Sequence, residues 1–280
     1  MLAQTVSITQ SPHDLPGWVA LFSAASLPVL EETADALEDL RAIEDDVDAH
    51  LLAETVATDP LMTLKLLAHL ADLRRGRDGS DPETVTAALV MLGITPFFRA
   101  FAVQPTVEAH LAGHPEALAG FRRVLRRAHR AANFAIGFAA HRLDPDAAVI
   151  HEAALLHDFA ELLLWLRAPT LALQIEERQT ADSALRSADV QRDVLHVELA
   201  DLQHALMTAW KLPALLVQIT DDHRQTDLQV QNVLLAMRVA RHSAAGWDNA
   251  ALPDDVQAIA DLLQMGLDPT WRLLHDIDGT

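Results

Sequence analysis

Apolar residues recur along most of the chain at spacings of three and four, which is the pattern of amphipathic helices. The segment DPETVTAALVMLG shows it clearly, because four apolar residues share one helical face: Val85, Ala88, Leu89 and Leu92. Gly93 follows directly and suits the position after a helix C-terminus. The spacing predicts a helix of about three turns.

Helix starts are marked by an aspartate before a proline at Asp59-Pro60, Asp81-Pro82 and Asp144-Pro145. In each pair the carboxylate can cap the helix, and the proline suits the first helical position. Apolar periodicity predicts the other helices over 97–111, 116–141, 146–167, 170–178, 189–210, 214–224, 227–244, 254–264 and 268–275. Alternating β-branched runs are missing, and only 10 of 280 residues are glycine. The predicted fold class is therefore all-α.

The stretch AGHPEA at 112–117 is the best candidate for a subdomain boundary, because it separates two predicted helices with Gly, His and Pro. Beyond it, the helix containing AANFAIGFAA carries Ala132, Ala135 and Ala139, small residues that permit close approach of another helix. The two halves of the chain are therefore expected to pack together.

The charge balance changes the range of expected partners. The net charge of −19 repels nucleic acid and anionic membrane surfaces, so neither is expected as a partner. The exception is FRRVLRRAHR at 121–130, where four arginines mark one polar helix face: Arg122, Arg123, Arg126 and Arg127. We interpret this run as a solvated face or a contact with a partner protein.

The absence of cysteine excludes disulfides, cysteine-based zinc sites, iron–sulfur clusters and thiol nucleophiles. The N-terminal residues show no basic segment followed by an apolar core, so no signal peptide is predicted. The apolar patch Trp18 to Leu30 is too short to span a bilayer. A cytoplasmic location is expected.

Two stretches together resemble the HDOD family, the HD-related output domain of bacterial signalling proteins. The first runs from LPVLEETADALEDL through DDVDAHLLAETVATDPLMTLKLLAHLAD to TVTAALVMLGITPFFRAFAV, and the second joins HEAALLHDFAELLLW to WKLPALLVQITDDH. The likeness covers roughly residues 26 to 245. It implies a helical N-terminal subdomain over 26–113 packed on an HD-like helical subdomain over 114–245. An N-terminal extension over 1–25 and a C-terminal helical extension over 246–280 complete the predicted organisation.

The resemblance also implies which residues occupy the metal-binding positions of HD-superfamily phosphohydrolases. In those enzymes histidines and aspartates hold a divalent cation that activates a water for attack on a phosphoester. The corresponding positions here are His129, the pair His157-Asp158, His223 and, where the final aspartate is expected, Arg241.

Three departures from the family pattern oppose metal or phosphate binding. Arg241 places a fixed cation where a carboxylate is needed. Ala160-Glu161 replaces the Gly-Lys after the His-Asp pair, so a carboxylate stands where a lysine would hold phosphate. Leu199 occupies the position of a further histidine. A degenerate site without metal or cofactor is therefore expected.

A buried Asp158 would need a positive partner, since an unpaired charge in the interior is costly. Arg241 is the candidate, and the hypothesis is a buried Asp158–Arg241 ion pair in place of a coordination site. The remaining single histidines fit packing or surface roles.

The resulting prediction is a non-catalytic signalling or regulatory module that binds a protein partner or a small ligand. Two alternatives stay open. One is a metal-dependent phosphohydrolase acting on a nucleotide, with His129, His157 and Asp158 as ligands and a divalent metal as cofactor. The other is a purely structural helical adaptor.

Overall fold

The computed structural model describes residues 8–24, 26–75, 82–182 and 185–279. Within these ranges the chain forms α1 Leu15–Ser23, α2 Glu31–Ala42, α3 Ala49–Val56, α4 Pro60–Leu73, α5 Val85–Leu92, α6 Ile94–Ala100, α7 Val107–His110, α8 Pro115–His141, α9 Ala147–Leu156, α10 Phe159–Arg167, α11 Pro169–Ala181, α12 Ser187–Leu195, α13 Leu199–Ala209, α14 Ala214–Ile219, α15 Leu228–His242, α16 Leu252–Leu263 and α17 Leu267–Asp278. In the same ranges, β-type pairing is confined to one isolated bridge between Val29 and Thr106. The all-α fold class is confirmed.

The cap predicted at Asp59 is confirmed, and this carboxylate also ties a distant segment to α4. Its Oδ1 accepts hydrogen bonds from the backbone N–H of Leu61 (2.8 Å) and Met62 (3.1 Å), and its Oδ2 accepts from Leu30 N at 2.8 Å. The side chain is fully buried. Burial raises the pKa of Asp59, and the backbone N–H donors act in the opposite direction.

The other two predicted caps differ in outcome. Asp81 lies outside the described residues, and α5 is capped by Thr84, whose Oγ1 accepts from Ala87 N at 3.2 Å. This helix has eight residues, and it ends at Gly93 with φ +85°, as the glycine predicted. The cap at Asp144 is wrong, because α9 begins after Asp146 and Asp144 instead accepts from the Asp146 N–H in the preceding turn.

Two segments predicted as single helices are interrupted. The segment 97–111 contains α6 and α7, because Pro105 has no N–H and its carbonyl accepts from Val29 N at 2.9 Å. The segment 189–210 contains α12 and α13, separated at His196, which adopts a left-handed conformation with φ +63°. By contrast, the long helix predicted over 116–141 is confirmed as α8.

Backbone contacts group the chain into two compact units. Unit 1 consists of Met1–Val124 and Asp158–Leu212, and unit 2 consists of Leu125–His157 and Pro213–Thr280. Each unit is built from two separate stretches, and α8 contributes to both. The division into 26–113 and 114–245 stays a prediction about the family domain.

Unit 1 contains α1 to α7, the first part of α8, and α10 to α13. The predicted N-terminal extension supplies part of its core, since Trp18 is fully buried and its indole N–H donates to the Leu195 carbonyl at 2.8 Å. Helix α1 packs against α13, and α10 packs against α11 and α13. These contacts anchor the residues that follow Asp158.

Unit 2 contains the remainder of α8 with α9 and α14 to α17. Helix α15 packs against α9, α14 and α16, and α16 packs against α17. Arg130 of α8 binds both carboxylate oxygens of Asp278, at 2.8 and 2.9 Å, and also donates to the Ser243 hydroxyl. This bidentate pair connects the predicted C-terminal extension to α8.

The arginine-rich face of α8 is partly paired. Arg122 forms an ion pair with Glu108 at 3.4 Å, and Arg123 forms one with Glu176. Arg122, Arg123 and Arg126 are exposed, as expected for a solvated face. No helix in the described part of the chain is long and apolar enough to cross a membrane.

Candidate functional site

The His-Asp pair lies between two helices rather than inside one. The segment 146–167 was predicted as a single helix, but α9 ends at Leu156 and α10 begins at Phe159. Asp158, the residue before α10, has φ −106° and ψ 21°, outside the usual helical region, and this turns the chain between the two helices. The peptide bond from His157 to Asp158 is also where the chain passes from unit 2 to unit 1.

Within unit 2, His157 is held by a carboxylate that the sequence reasoning missed. Its Nε2 lies 2.8 Å from Oδ1 of Asp222, in the loop after α14. The His157 side chain is 10% exposed and that of Asp222 is 33% exposed, so the pair lies at the edge of the interior. The signal was present in DDH, where Asp222 immediately precedes the histidine chosen as a ligand.

His223 follows Asp222 in the same loop. Its residue is exposed, and its backbone N–H donates to Oδ1 of Asp221 at 3.1 Å, which shapes the loop. The loop therefore presents Asp222 to His157.

Histidines of α8 and α9 lie near enough to interact electrostatically. Burial lowers the pKa of His151, and the charge of His129 lowers it further. A low pKa favours the neutral imidazole, which is the form that can accept a hydrogen bond or bind a metal. His151 and His129 are both partly buried.

The hypothesis of a buried Asp158–Arg241 ion pair is wrong. Arg241 is exposed on α15, near its C-terminus, so its guanidinium stays in water. Asp158 is itself only partly buried, and therefore does not need a guanidinium to replace a metal. A basic residue in the last turn of a helix has an ordinary role, since it interacts favourably with the helix dipole.

The other two departures from the family pattern lie in unit 1. Ala160 is buried and Glu161 is partly exposed in the first turn of α10, where a carboxylate is favoured by the helix dipole. Leu199 is a buried first residue of α13, and its N–H donates to Oε1 of Gln191 at 3.0 Å. Both positions therefore serve helix starts and packing.

Among the described residues, no three histidine, aspartate or glutamate side chains come together in an arrangement that could hold a metal ion. His157 and Asp222 are at direct hydrogen-bonding distance from each other. The geometry that the structure gives here is a histidine–carboxylate pair in unit 2.

Comparison with known proteins identifies a matching family model and solved structures with a similar fold. The model of the HDOD domain matches residues 27–226, and no curated protein matches the sequence. The fold is similar to the MmoQ response regulator from Methylococcus capsulatus str. Bath, with a TM-score of 0.67 and 22% identity over 89% of this chain and 98% of that one. It is also similar to a virulence factor from Campylobacter jejuni subsp. jejuni, with a TM-score of 0.66 and 17% identity over 95% of this chain and 98% of that one.

These structures share the helical fold, and the family model covers well over half of the chain. The resemblance predicted from the LP segment, the His-Asp helix and the WKLP segment is confirmed. The chain belongs to the HDOD domain family.

Proposed function

We propose that this chain is a non-catalytic regulatory module of signal transduction, which acts by binding a protein partner or a small ligand. The proposal is supported by the residues that stand at the metal-binding positions of HD-superfamily phosphohydrolases. The His-Asp pair is retained, but His157 is bound to Asp222, and the position expected to supply the last carboxylate is the exposed Arg241.

Phosphoester hydrolysis by a divalent cation needs several oxygen and nitrogen ligands that converge on one point. Among the described residues, His157 and Asp222 come together without a third histidine or carboxylate arranged with them as a metal ligand. Glu161, three residues after Asp158, adds a negative charge that would repel a substrate phosphate. The same residues are compatible with a packed, polar region that needs no substrate.

The signalling part of the proposal comes from the relatives. One protein with this fold is described as a response regulator. We extend that role to this chain as a proposal.

Metal content and turnover test the proposal together. The full chain would be purified without chelator, analysed for iron, manganese and zinc, and assayed against a phosphodiester and a nucleotide with each metal added. We expect far less than one metal ion per chain and no turnover above that of His157→Ala. Stoichiometric metal, or hydrolysis that His157→Ala abolishes and His223→Ala leaves intact, would contradict the proposal and favour a phosphohydrolase.

A further inference from the structure

Unit 2 contains a cavity whose lining includes neither His157 nor Asp222. Its volume is about 760 Å³, within the range of roughly 300–1,000 Å³ that small-molecule sites occupy. It is open to solvent and is lined by the end of α8, the face of α15 and the last turns of α16. Its lining residues are His141, Arg142, Gln225, Leu228, Gln231, Leu234, Leu235, Arg238, Ala258, Asp261, Leu262, Leu263 and Gln264.

The charge of this lining is opposite to that of the chain. Overall, 40 acidic residues outnumber 21 basic ones. The lining instead contains two arginines, Arg142 and Arg238, against one carboxylate, Asp261. Asp261 accepts a hydrogen bond from the side chain of Gln257 at 2.8 Å, which uses part of its acceptor capacity. An anion is therefore favoured here more than elsewhere on this acidic protein.

Arg142 has hydrogen-bonding capacity left to offer. Its Nη1 makes one long contact of 3.5 Å with the carbonyl of Leu262, near the C-terminus of α16. Its Nε is buried and has no hydrogen-bond partner within the described residues. A guanidinium whose donors are incompletely paired favours a nearby acceptor, and an anion in the cavity would supply one beside Arg142.

Arg238 is positioned by a buried carboxylate. Asp255 is fully buried. Its Oδ1 lies 2.6 Å from Arg238 Nη2, and its Oδ2 lies 2.5 Å from His242 Nδ1. The Arg238 side chain is nevertheless 49% exposed, so the rest of its planar group remains accessible at the cavity. Such preorganisation lowers the entropy cost of holding a ligand.

Part of the lining is apolar. Leu228, the first residue of α15, is 53% exposed, and Leu234 and Leu262 lie nearby in the same lining. Leucines that remain in contact with water beside two guanidinium groups fit a ligand that carries both an apolar body and an anionic group.

We propose that this cavity binds a small organic anion, with its phosphate or carboxylate against Arg142 and Arg238 and its apolar body against Leu228. This ligand class would serve the regulatory function proposed above, and the biological role of the cavity rests on that proposed function. The binding itself can be measured independently of any catalysis.

Isothermal titration calorimetry of the full chain with phenyl phosphate tests the site. We expect one binding site with a Kd below about 1 mM, and about tenfold weaker binding of inorganic phosphate, which lacks the apolar body. Arg142→Gln should weaken phenyl phosphate binding by about tenfold, because it removes a charge-assisted contact. Arg126→Gln is the matched control, since it makes the same charge change at an exposed position of α8 outside the cavity.

Leu228→Glu provides a second variant in case Arg142→Gln does not fold. It places a carboxylate in the cavity at an exposed position, and it should also weaken binding by about tenfold or more. Leu267→Glu is its control, because Leu267 is likewise the first residue of a helix and is 47% exposed. Absence of binding at about 10 mM phenyl phosphate, or equal binding by Leu228→Glu and Leu267→Glu, would overturn the site.

The same titration separates the two proposals. Release of phenol from phenyl phosphate in the presence of manganese would contradict the non-catalytic function. Binding that persists in a chelator and responds to Leu228→Glu would still support the cavity.

Discussion

Two glycines of α8 provide a stringent test of the packing described above. Replacing glycine with alanine inside a helix normally stabilises it by about 1 kcal/mol. At Gly120, however, the added Cβ would lie 2.5 to 2.6 Å from three ring atoms of Trp165. At Gly137 the nearest atom would be Cδ1 of Ile277, at 2.5 Å, which is the end of a flexible side chain.

The Trp165 ring has little freedom to move. It is 4% exposed in α10, and the guanidinium of Arg123 lies over it at 5.9 Å from the ring centroid. Forcing an extra methyl group into such a place costs about 1–3 kcal/mol, and three contacts with a rigid ring favour the upper end. We therefore expect Gly120→Ala to lower the free energy of unfolding by about 1–2 kcal/mol after the helix gain is included.

Gly137→Ala should instead raise the free energy of unfolding by about 0.5–1 kcal/mol, because Ile277 can change rotamer. Urea denaturation followed by circular dichroism would measure both variants. The expected difference between them is about 1.5–3 kcal/mol. Equal stability of the two variants, or a Gly120→Ala variant more stable than the parent, would refute the close contact between α8 and Trp165.

Three further predictions concern charged groups. Asp59→Ala should lower the free energy of unfolding by about 2–4 kcal/mol, because it removes a buried cap and leaves the Leu30 N–H unpaired. Asp48→Ala, at the exposed cap of α3, is the control and should lower it by about 1 kcal/mol. If urea denaturation gave similar losses for both variants, burial would not explain the stability that Asp59 provides. Arg241→Ala should change the melting temperature by no more than about 2 °C, since its side chain is exposed, and a large decrease would restore the buried ion pair. Burial lowers the pKa of Lys65 to about 8, so its protonation opposes folding and stability should rise as pH increases from about 8 towards the unfolded value near 10.5. Lys65→Met should flatten this rise in denaturation curves recorded between these pH values, and an unchanged slope would show that Lys65 does not titrate as described.

In this sequence the pH dependence of stability above pH 8 can be assigned to few groups. The chain has no tyrosine and no cysteine, and Lys65 and Lys211 are its two lysines. Few groups other than Lys65 therefore titrate between pH 8 and 10.5. The Lys65 ammonium donates to the Leu27 carbonyl at 2.8 Å and to the side chain of Gln104, and a neutral amine can keep both contacts.

The sequence predicted the helices best where local chemistry alone decides their ends. Asp59 and Gly93 mark helix limits through a side-chain cap and a positive φ, and both were read correctly. The breaks at His157-Asp158 and at His196 were missed because neither contains glycine or proline. The apolar periodicity continues through both breaks, so only tertiary packing interrupts the helix.

For the candidate site, the family positions could be assigned from spacing, but their contacts could not. Which acid binds His157 depends on how the loop after α14 turns, and the sequence offers Asp221, Asp222 and the exposed His223 side by side. Likewise, the face on which Arg241 lies depends on the last turn of α15, where the pattern of apolar positions ends. The sequence therefore does not predict whether a single charged residue near a helix end is buried or exposed.

The discontinuous units have a consequence for synthesis on the ribosome. Unit 1 is complete only when residue 212 has emerged, and by then the second part of α8 and all of α9 have already been made without their unit 2 partners. At about 5–20 residues per second, the remaining helices α14 to α17 follow over several seconds. During that interval the apolar faces that unit 2 will bury, including Phe134 and Ile150, are exposed in the nascent chain. This makes the middle of the sequence, rather than either end, the place where a chaperone would be needed during folding.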